Sequence, residues 1–92
     1  MLRSFSDKKT ESLWNGKRVP AFDGFRAKAE QKLAVLDAAT CLEDLGGLPG
    51  NRLEALKANR KGQHSIRIND QWRLCFRWEG LDAHDVEIVD YH

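Results

Sequence analysis

The sequence predicts an α+β fold, in which a small twisted antiparallel sheet carries N-terminal helices on one face. The apolar residues recur at spacings of three and four in the first 40 residues, and at a spacing of two from about residue 65 onward. Helical periodicity therefore comes first and strand periodicity second. A chain of 92 residues can bury one modest core and not two, so residues 1–92 are expected to form a single domain.

Three helices are expected in the first half of the chain. Ser6 is a suitable N-cap for a short helix over residues 7–14, and Asn15-Gly16 would end it. The main helix spans residues 22–36, and Lys32 falls on its predicted solvent face. Its apolar stripe consists of Phe22, Phe25, Ala29, Leu33 and Leu36. Thr40 and Glu43 match a capping box and predict a third, short helix that ends at Gly46-Gly47.

The second half predicts a meander of three strands, with residues 2–5 and 52–56 as possible additions. The strands lie around Ile66–Ile68, over residues 72–78 and over residues 86–91, with turns at 69–70 and 80–85. In the middle strand the even-numbered positions are apolar and the odd-numbered ones mostly polar. We expect the helices to cover the face that bears Trp72, so that Arg73 lies on the open face with Gln71 and Arg77.

Composition places the chain in the cytoplasm. No run approaches the roughly 20 apolar residues of a membrane span, and the first residues lack the apolar core of a signal peptide. Cys41 and Cys75 lack CxxC spacing and are expected to be buried, reduced thiols. Since no ligand-spaced cluster and no phosphate-binding glycine loop is present, neither a metal nor a cofactor is expected.

The net charge of +1 conceals a strong asymmetry along the chain. Residues 52–77 carry seven Lys/Arg against two Asp/Glu, whereas residues 78–92 carry five Asp/Glu and no Lys or Arg. A basic excess is usually a solvated face. Here several of the charges fall on predicted strands beside tryptophans, which favours a surface for a polyanion.

The side chains best suited to proton transfer come at the end of the last predicted strand, as Asp90, Tyr91 and His92. Histidine can give and take a proton near neutral pH because its ordinary pKa is about 6.5. Tyrosine, with an ordinary pKa near 10, is a poor base unless cations lower that value. A frayed chain end is the simpler interpretation, and His64 is a further candidate.

Two basic positions are candidates for binding phosphate. Arg73 would be presented rigidly by its strand, and its planar fork can hold two phosphate oxygens; the alternative is an ion pair with an acidic residue of the last strand. Lys57 and Arg60 flank Asn59 ahead of Gly62, as in a phosphate-contacting loop, although exposed basic loops are equally common. Together with the terminal residues they indicate cleavage of a phosphodiester.

The longer pattern resembles a known family. It reads Leu53-x-x-Leu56-Lys57-x-x-Arg60-x-Gly62-x-x-Ser65-Ile66-x-Ile68-x-x-x-Trp72-Arg73-x-x-Phe76, with Asp90-Tyr91-His92 after it. The chain thereby resembles the HigB/GraT-type toxins of the RelE-like (RelE/ParE) superfamily, over nearly its whole length. The resemblance implies a RelE-like fold and a toxin that cuts mRNA in the ribosomal A site without a metal, by attack of the 2′-hydroxyl.

The resemblance also implies partners and residue roles. The partners would be a helix-turn-helix antitoxin of the HigA/GraA type, the ribosome with its mRNA, and operator DNA only through the antitoxin complex, with no membrane involved. Lys57 and Arg73 would neutralise the phosphate, and Asp90, Tyr91 and His92 would move or orient protons. Arg60 and Gln71 would contact RNA.

Two departures and two alternatives accompany this interpretation. Glu54 stands where similar toxins often have a histidine, and the chain is far less basic than many RelE-like toxins. The alternatives are a ribosome-independent ribonuclease and a non-catalytic or DNA-contacting module. No predicted helix carries the clustered basic face of a DNA groove reader, which ranks the last one lower.

Overall fold

The chain folds as an α+β domain, as predicted. The computed structural model describes residues 1–91, in which three α-helices precede a four-stranded antiparallel sheet. The helices are α1 (Lys8–Trp14), α2 (Arg26–Ala38) and α3 (Leu42–Gly46), and the strands are β1 (Glu54–Ala55), β2 (Gln63–Arg67), β3 (Trp72–Glu79) and β4 (Asp82–Asp90). The strand order is β1-β2-β3-β4, so each strand pairs with its neighbour in sequence.

The N-terminal segment closes the outer edge of β4. Leu2 and Phe5 form isolated parallel bridges to Ala83 and Val86. Backbone bonds support these bridges, among them one from the Arg3 N–H to the Ala83 carbonyl at 2.8 Å. The edge position predicted for residues 2–5 is therefore confirmed.

The core lies between the helices and one face of the sheet. Leu33 and Leu36 of α2 are fully buried, as are Leu74 and Phe76 of β3. Trp72 is half-buried at the end of this layer, where its ring stacks on Phe25 with centroids 4.9 Å apart. The helix stripe therefore covers the face that bears the even-numbered residues of β3, as expected.

The main helix begins later than predicted, and one of its residues is misplaced in the prediction. Pro20–Phe25 is a 3₁₀ helix, because Pro20 occupies its first turn and Gly24 weakens α-helix propensity just before α2. Lys32 was predicted to face solvent but is only 8% exposed. Its Nζ donates a hydrogen bond to Asn51 Oδ1, a long-range partner that helical periodicity cannot reveal.

Both predicted helix caps differ in detail from the structure. The N-cap of α1 is Asp7, and the Ser6 hydroxyl instead donates to the Asp85 carbonyl at 3.0 Å. At α3 the N-cap is Cys41, and the Thr40 N–H and hydroxyl both donate to Asp44, at 3.1 and 3.0 Å. The carboxylate that accepts the capping hydrogen bonds is therefore that of Asp44, one residue after the predicted Glu43.

The last hairpin turns within two residues rather than the predicted six. Glu79 pairs with Asp82, so only Gly80 and Leu81 form the turn, and Gly80 has a φ of +64°. Residues 82–85 belong to β4. The register shifts between Cys75 and Arg77, and Asp85 lies opposite with a φ of +54°, as in a β-bulge.

The two cysteines are free, and only one of them fits the prediction. Cys75 is fully buried in β3, whereas Cys41 is only half-buried. Burial, followed by the nearby carboxylates, raises the pKa of the Cys75 thiol, and it remains protonated near neutral pH. In residues 1–91 we find no helix with the length and apolar character needed to cross a bilayer.

Candidate active site

Arg73 lies near the start of β3, on the sheet face that the helices leave open. Its Nε donates to the Ser65 hydroxyl at 2.7 Å, and its Nη2 donates to the Arg52 carbonyl at 2.6 Å. Within residues 1–91 it makes no ion pair, so the predicted alternative of a salt bridge to the last strand is wrong. The guanidinium is held by neutral oxygens and keeps its charge for another partner.

Tyr91 is the predicted site residue that the structure brings to Arg73. The Arg73 Cζ lies 5.7 Å from the centroid of the Tyr91 ring, which is 44% exposed. The pKa of Tyr91 is raised, first because its surroundings desolvate the phenolate and then because of Cys75 and the Glu54 carboxylate. The cations therefore do not turn Tyr91 into a base; near neutral pH it is a hydrogen-bond donor.

Asp90 leaves the strand on the other side of the sheet. It is in register with Trp72, on the helix-facing side, and its Oδ2 accepts a bond from Gln71 Nε2 at 2.9 Å. The Tyr91 N–H donates to the Gln71 carbonyl at 2.8 Å. The predicted terminal set therefore divides into an Asp90–Gln71 pair at the end of the sheet and Tyr91 beside Arg73. His92 lies outside the described residues.

His64 belongs to the covered side of the sheet. It is in register with Phe76, and the two rings are stacked with centroids 6.3 Å apart. Its Nδ1 is buried and has no hydrogen-bond partner in the described part of the chain. His64 therefore lies on the opposite face from Arg73 and is not part of the same site.

The cationic surface is weaker than the charge count suggested, since acidic neighbours neutralise three arginines. Arg60 binds Glu87 at 3.2 Å and Gln63 at 3.1 Å, and Arg77 binds both Asp85 and Glu79. Arg67 pairs with Asp70. The cations of this region without an ion pair in residues 1–91 are Arg52, Lys57, Lys61 and Arg73.

A row of four residues crosses the open face beside Arg73. Glu54, Ser65, Cys75 and Glu87 are register partners on the four successive strands. Ser65 and Cys75 are fully buried, so the centre of the face is a closed, neutral floor. Glu54 is exposed at one edge, where its charge opposes an anionic ligand.

Two groups that orient Arg73 were not predicted as site residues. Ser65 is a small polar residue in a strand, and the Arg52 group is a backbone carbonyl that carries no sequence signal. Only the β2–β3 register, in which Arg67 pairs with Arg73, brings Ser65 within reach of the guanidinium. Over the described residues we find no group of three or more His, Cys, Asp or Glu placed to hold a metal ion.

These contacts describe an oriented guanidinium, without an ion pair in residues 1–91, beside a protonated phenol on an open sheet face. Such a pair can bind an anion and donate hydrogen bonds to it. The family model for HigB-like toxins, described as RelE-like toxins of the type II toxin–antitoxin system HigB, matches residues 3–92. The chain belongs to the HigB-like toxin family.

Individual relatives agree with this assignment. The HigB-like chain is 32% identical over 97 aligned positions to "Endoribonuclease HigB" of Proteus vulgaris, and the alignment covers 100% of both proteins. It is 54% identical over 48 residues to "Toxin HigB-1" of Vibrio cholerae serotype O1, a match that spans 52% of this chain and 50% of that toxin. Membership of a type II toxin–antitoxin family implies that this HigB-like toxin has an antitoxin partner.

Proposed function

We propose that this HigB-like toxin is an endoribonuclease that cuts mRNA in the ribosomal A site and so inhibits translation and growth. The observation that carries the proposal is Arg73, held at Nε and Nη2 by Ser65 and the Arg52 carbonyl and without an ion pair in residues 1–91. The Proteus vulgaris relative, which aligns over its full length, is named an endoribonuclease, and this favours ribonuclease activity over a non-catalytic module. Its place of action is the cytoplasm, where translated mRNA is found.

The proposed reaction is an internal transfer within the RNA. The 2′-oxygen attacks the adjacent phosphorus while the 5′-oxygen of the next nucleotide leaves, giving a 2′,3′-cyclic phosphate and a 5′-hydroxyl. Negative charge builds on the phosphoryl oxygens as the new bond forms. We expect two cationic groups to neutralise it, the Nη1 of Arg73, which has no partner in the described residues, and the exposed Lys57.

Two protons must move in this reaction, one from the 2′-hydroxyl and one to the leaving 5′-oxygen. Because its pKa is raised, Tyr91 remains protonated and acts as a hydrogen-bond donor to the phosphate or to the leaving oxygen. Cys75 is a buried thiol whose pKa is also raised, which removes it as a base. We therefore propose that His92, which lies outside the described residues, carries proton transfer, and that Asp90, which accepts a bond from Gln71, has an orienting role.

The RNA-contacting residues follow from the same geometry. Gln71 lies exposed beside Asp90 at the end of the sheet, where its side chain is accessible to a base of the A-site codon. We expect Arg60 to contact RNA only at the edge of the binding surface, because its two terminal nitrogens already donate to Gln63 and Glu87. Lys57 is therefore expected to contribute more to phosphate binding than Arg60.

Charge balance supports dependence on the ribosome. Affinity for free RNA grows with the number of phosphates that Lys and Arg neutralise, and here three arginines are already paired with carboxylates. A ribosome that presents the message in a fixed position supplies the binding energy that this surface lacks. The antitoxin is proposed to be a helix-turn-helix protein of the HigA/GraA type, through which alone the toxin reaches operator DNA.

The chemistry of the products tests this reaction. A message with a single 2′-deoxynucleotide on the 5′ side of the cleaved bond is expected to resist cutting at that bond, because it lacks the attacking oxygen. The matched all-ribose message should yield a 5′-hydroxyl fragment that polynucleotide kinase labels without prior phosphatase treatment. Cutting of the deoxy-substituted bond, with a 5′-phosphate on the product, would show that water attacks instead.

A further inference from the structure

Two hydrogen bonds, joined by the backbone of two consecutive residues, form a path from the buried Lys32 in α2 to Arg73 on the open face of the sheet. Lys32 Nζ donates to Asn51 Oδ1, and the next residue along the chain, Arg52, offers its carbonyl to Arg73 Nη2 at 2.6 Å. The path crosses the fold through two consecutive residues. A helix residue that is far from any substrate is thereby linked to the guanidinium.

Every polar group of Asn51 forms a hydrogen bond. Its side chain is fully buried, and Nδ2 donates to the Leu45 carbonyl at 3.1 Å while Oδ1 accepts from Lys32. Its N–H donates to the Leu48 carbonyl at 3.0 Å, and its carbonyl accepts from the Arg67 N–H at 2.6 Å. These contacts join the α3 region, α2 and the end of β2, so Asn51 has a single orientation.

The next residue adopts a backbone conformation that needs such support. Arg52 has a φ of +46°, in the left-handed region that non-glycine residues rarely occupy. A conformation of this kind persists only where its surroundings hold it. The anchored Asn51 supplies that support and, through it, the direction of the Arg52 carbonyl toward Arg73.

A lysine at position 32 lowers the stability of the fold, because its ammonium group is buried. Burial lowers its pKa, and the positive charges of Lys28 and Arg67 lower it further. A methionine would fill a similar space without the cost of desolvating an ammonium group. What Lys32 adds is a fixed donor to Asn51 Oδ1.

We propose that Lys32 and Asn51 are positioning residues for Arg73, which hold the Arg52 carbonyl where it orients the guanidinium toward the scissile phosphate. This inference rests on the proposed catalytic role of Arg73. Lys32 and Asn51 touch no substrate themselves, so they act on the rate of the chemical step and not on the capture of the message.

The test is a double-mutant cycle in single-turnover cleavage of mRNA on programmed ribosomes. Lys32→Met is expected to lower the maximal rate by about tenfold and to leave the half-saturating ribosome concentration unchanged, because a misaligned group weakens catalysis more than binding. In an Arg73→Ala background, Lys32→Met should cause no further loss, since the group it orients is gone. Lys28→Met, an exposed lysine on the same helix, is the matched control and should retain the wild-type rate.

Each other outcome decides against the inference. Losses that multiply in the double variant, or a change confined to half-saturation, would show that Lys32 acts independently of Arg73. Asn51→Asp, which keeps the acceptor for Lys32 and loses the bond to Leu45, should also slow cleavage; unfolding of both variants would assign the path to stability alone. A wild-type rate in Arg73→Ala would overturn the catalytic role of Arg73 and this inference with it, whereas a wild-type rate in Lys32→Met alone would overturn only the inference. Absence of cleavage by the wild type would overturn the proposed function itself.

Discussion

Arg73→Ala is expected to reduce single-turnover cleavage on programmed ribosomes by a factor of about 10² to 10³, while the protein stays folded. The guanidinium is oriented by Ser65 and the Arg52 carbonyl, so its charge is already in place as the phosphorane-like transition state forms. Its loss leaves the buried Ser65 hydroxyl without this donor, which costs about 1 kcal/mol of stability. Cleavage rates with thermal melts alongside measure both effects.

Two variants bracket this prediction. Arg73→Lys keeps the charge but loses the planar guanidinium that donates to both the Ser65 hydroxyl and the Arg52 carbonyl. It should therefore recover only part of the rate. Trp72→Ala, on the neighbouring residue of the same strand, should instead destabilise the fold by about 3 kcal/mol, because it removes the ring packed on Phe25. An insoluble Arg73→Ala beside a folded but inactive Trp72→Ala would mean that the two faces of the sheet are assigned the wrong way round.

His92→Gln is expected to slow cleavage by about 10² to 10⁴ without loss of antitoxin binding. Tyr91 and Cys75, which lie on the open face, are poorly suited as bases, since their pKa values are both raised. Glutamine keeps the polarity and approximate size of histidine but cannot transfer a proton near neutral pH. Single-turnover rates measure the change, and their dependence on pH should differ between the wild type and the variant because the imidazole is lost.

The control for this variant is His84, a histidine of β4. It pairs with Arg77 near the start of that strand, so His84→Gln should cleave at the wild-type rate. A wild-type rate in His92→Gln itself would move proton transfer to Tyr91 or Asp90. A strongly reduced rate in both variants would indicate a general loss of fold, which thermal melts would detect.

The faces of the sheet could be predicted from the sequence because alternation is a local property of a strand. Leu74 and Phe76 are buried and Arg73 is on the open face, as the period of two requires. The same period of two places Asp90 and Tyr91 on opposite faces of the sheet. The sequence alone could therefore have predicted that these two residues do not form one group. The shortened hairpin at Gly80 was missed because the bulge at Asp85 interrupts the alternation.

Partners far apart in sequence could not be predicted in the same way. The contact between Ser65 and Arg73 depends on strand register, and the burial of Lys32 depends on an acceptor 19 residues away. The charge count of residues 52–77 overstated the cationic surface, since two carboxylates of the acidic block that follows, Glu87 and Asp85, lie within reach of Arg60 and Arg77 only after the sheet forms. Local composition cannot show which charges neutralise one another.

We expect this HigB-like toxin to cut messages that ribosomes are translating. Primer extension on one message in a purified translation reaction, with and without ribosomes and at equal toxin concentration, tests it most directly. We expect cuts within codons only when ribosomes are present, and their loss when Arg73→Ala replaces the wild type. Equal cutting of the naked message would contradict dependence on the ribosome, and an uncut message in both reactions would contradict the nuclease activity itself.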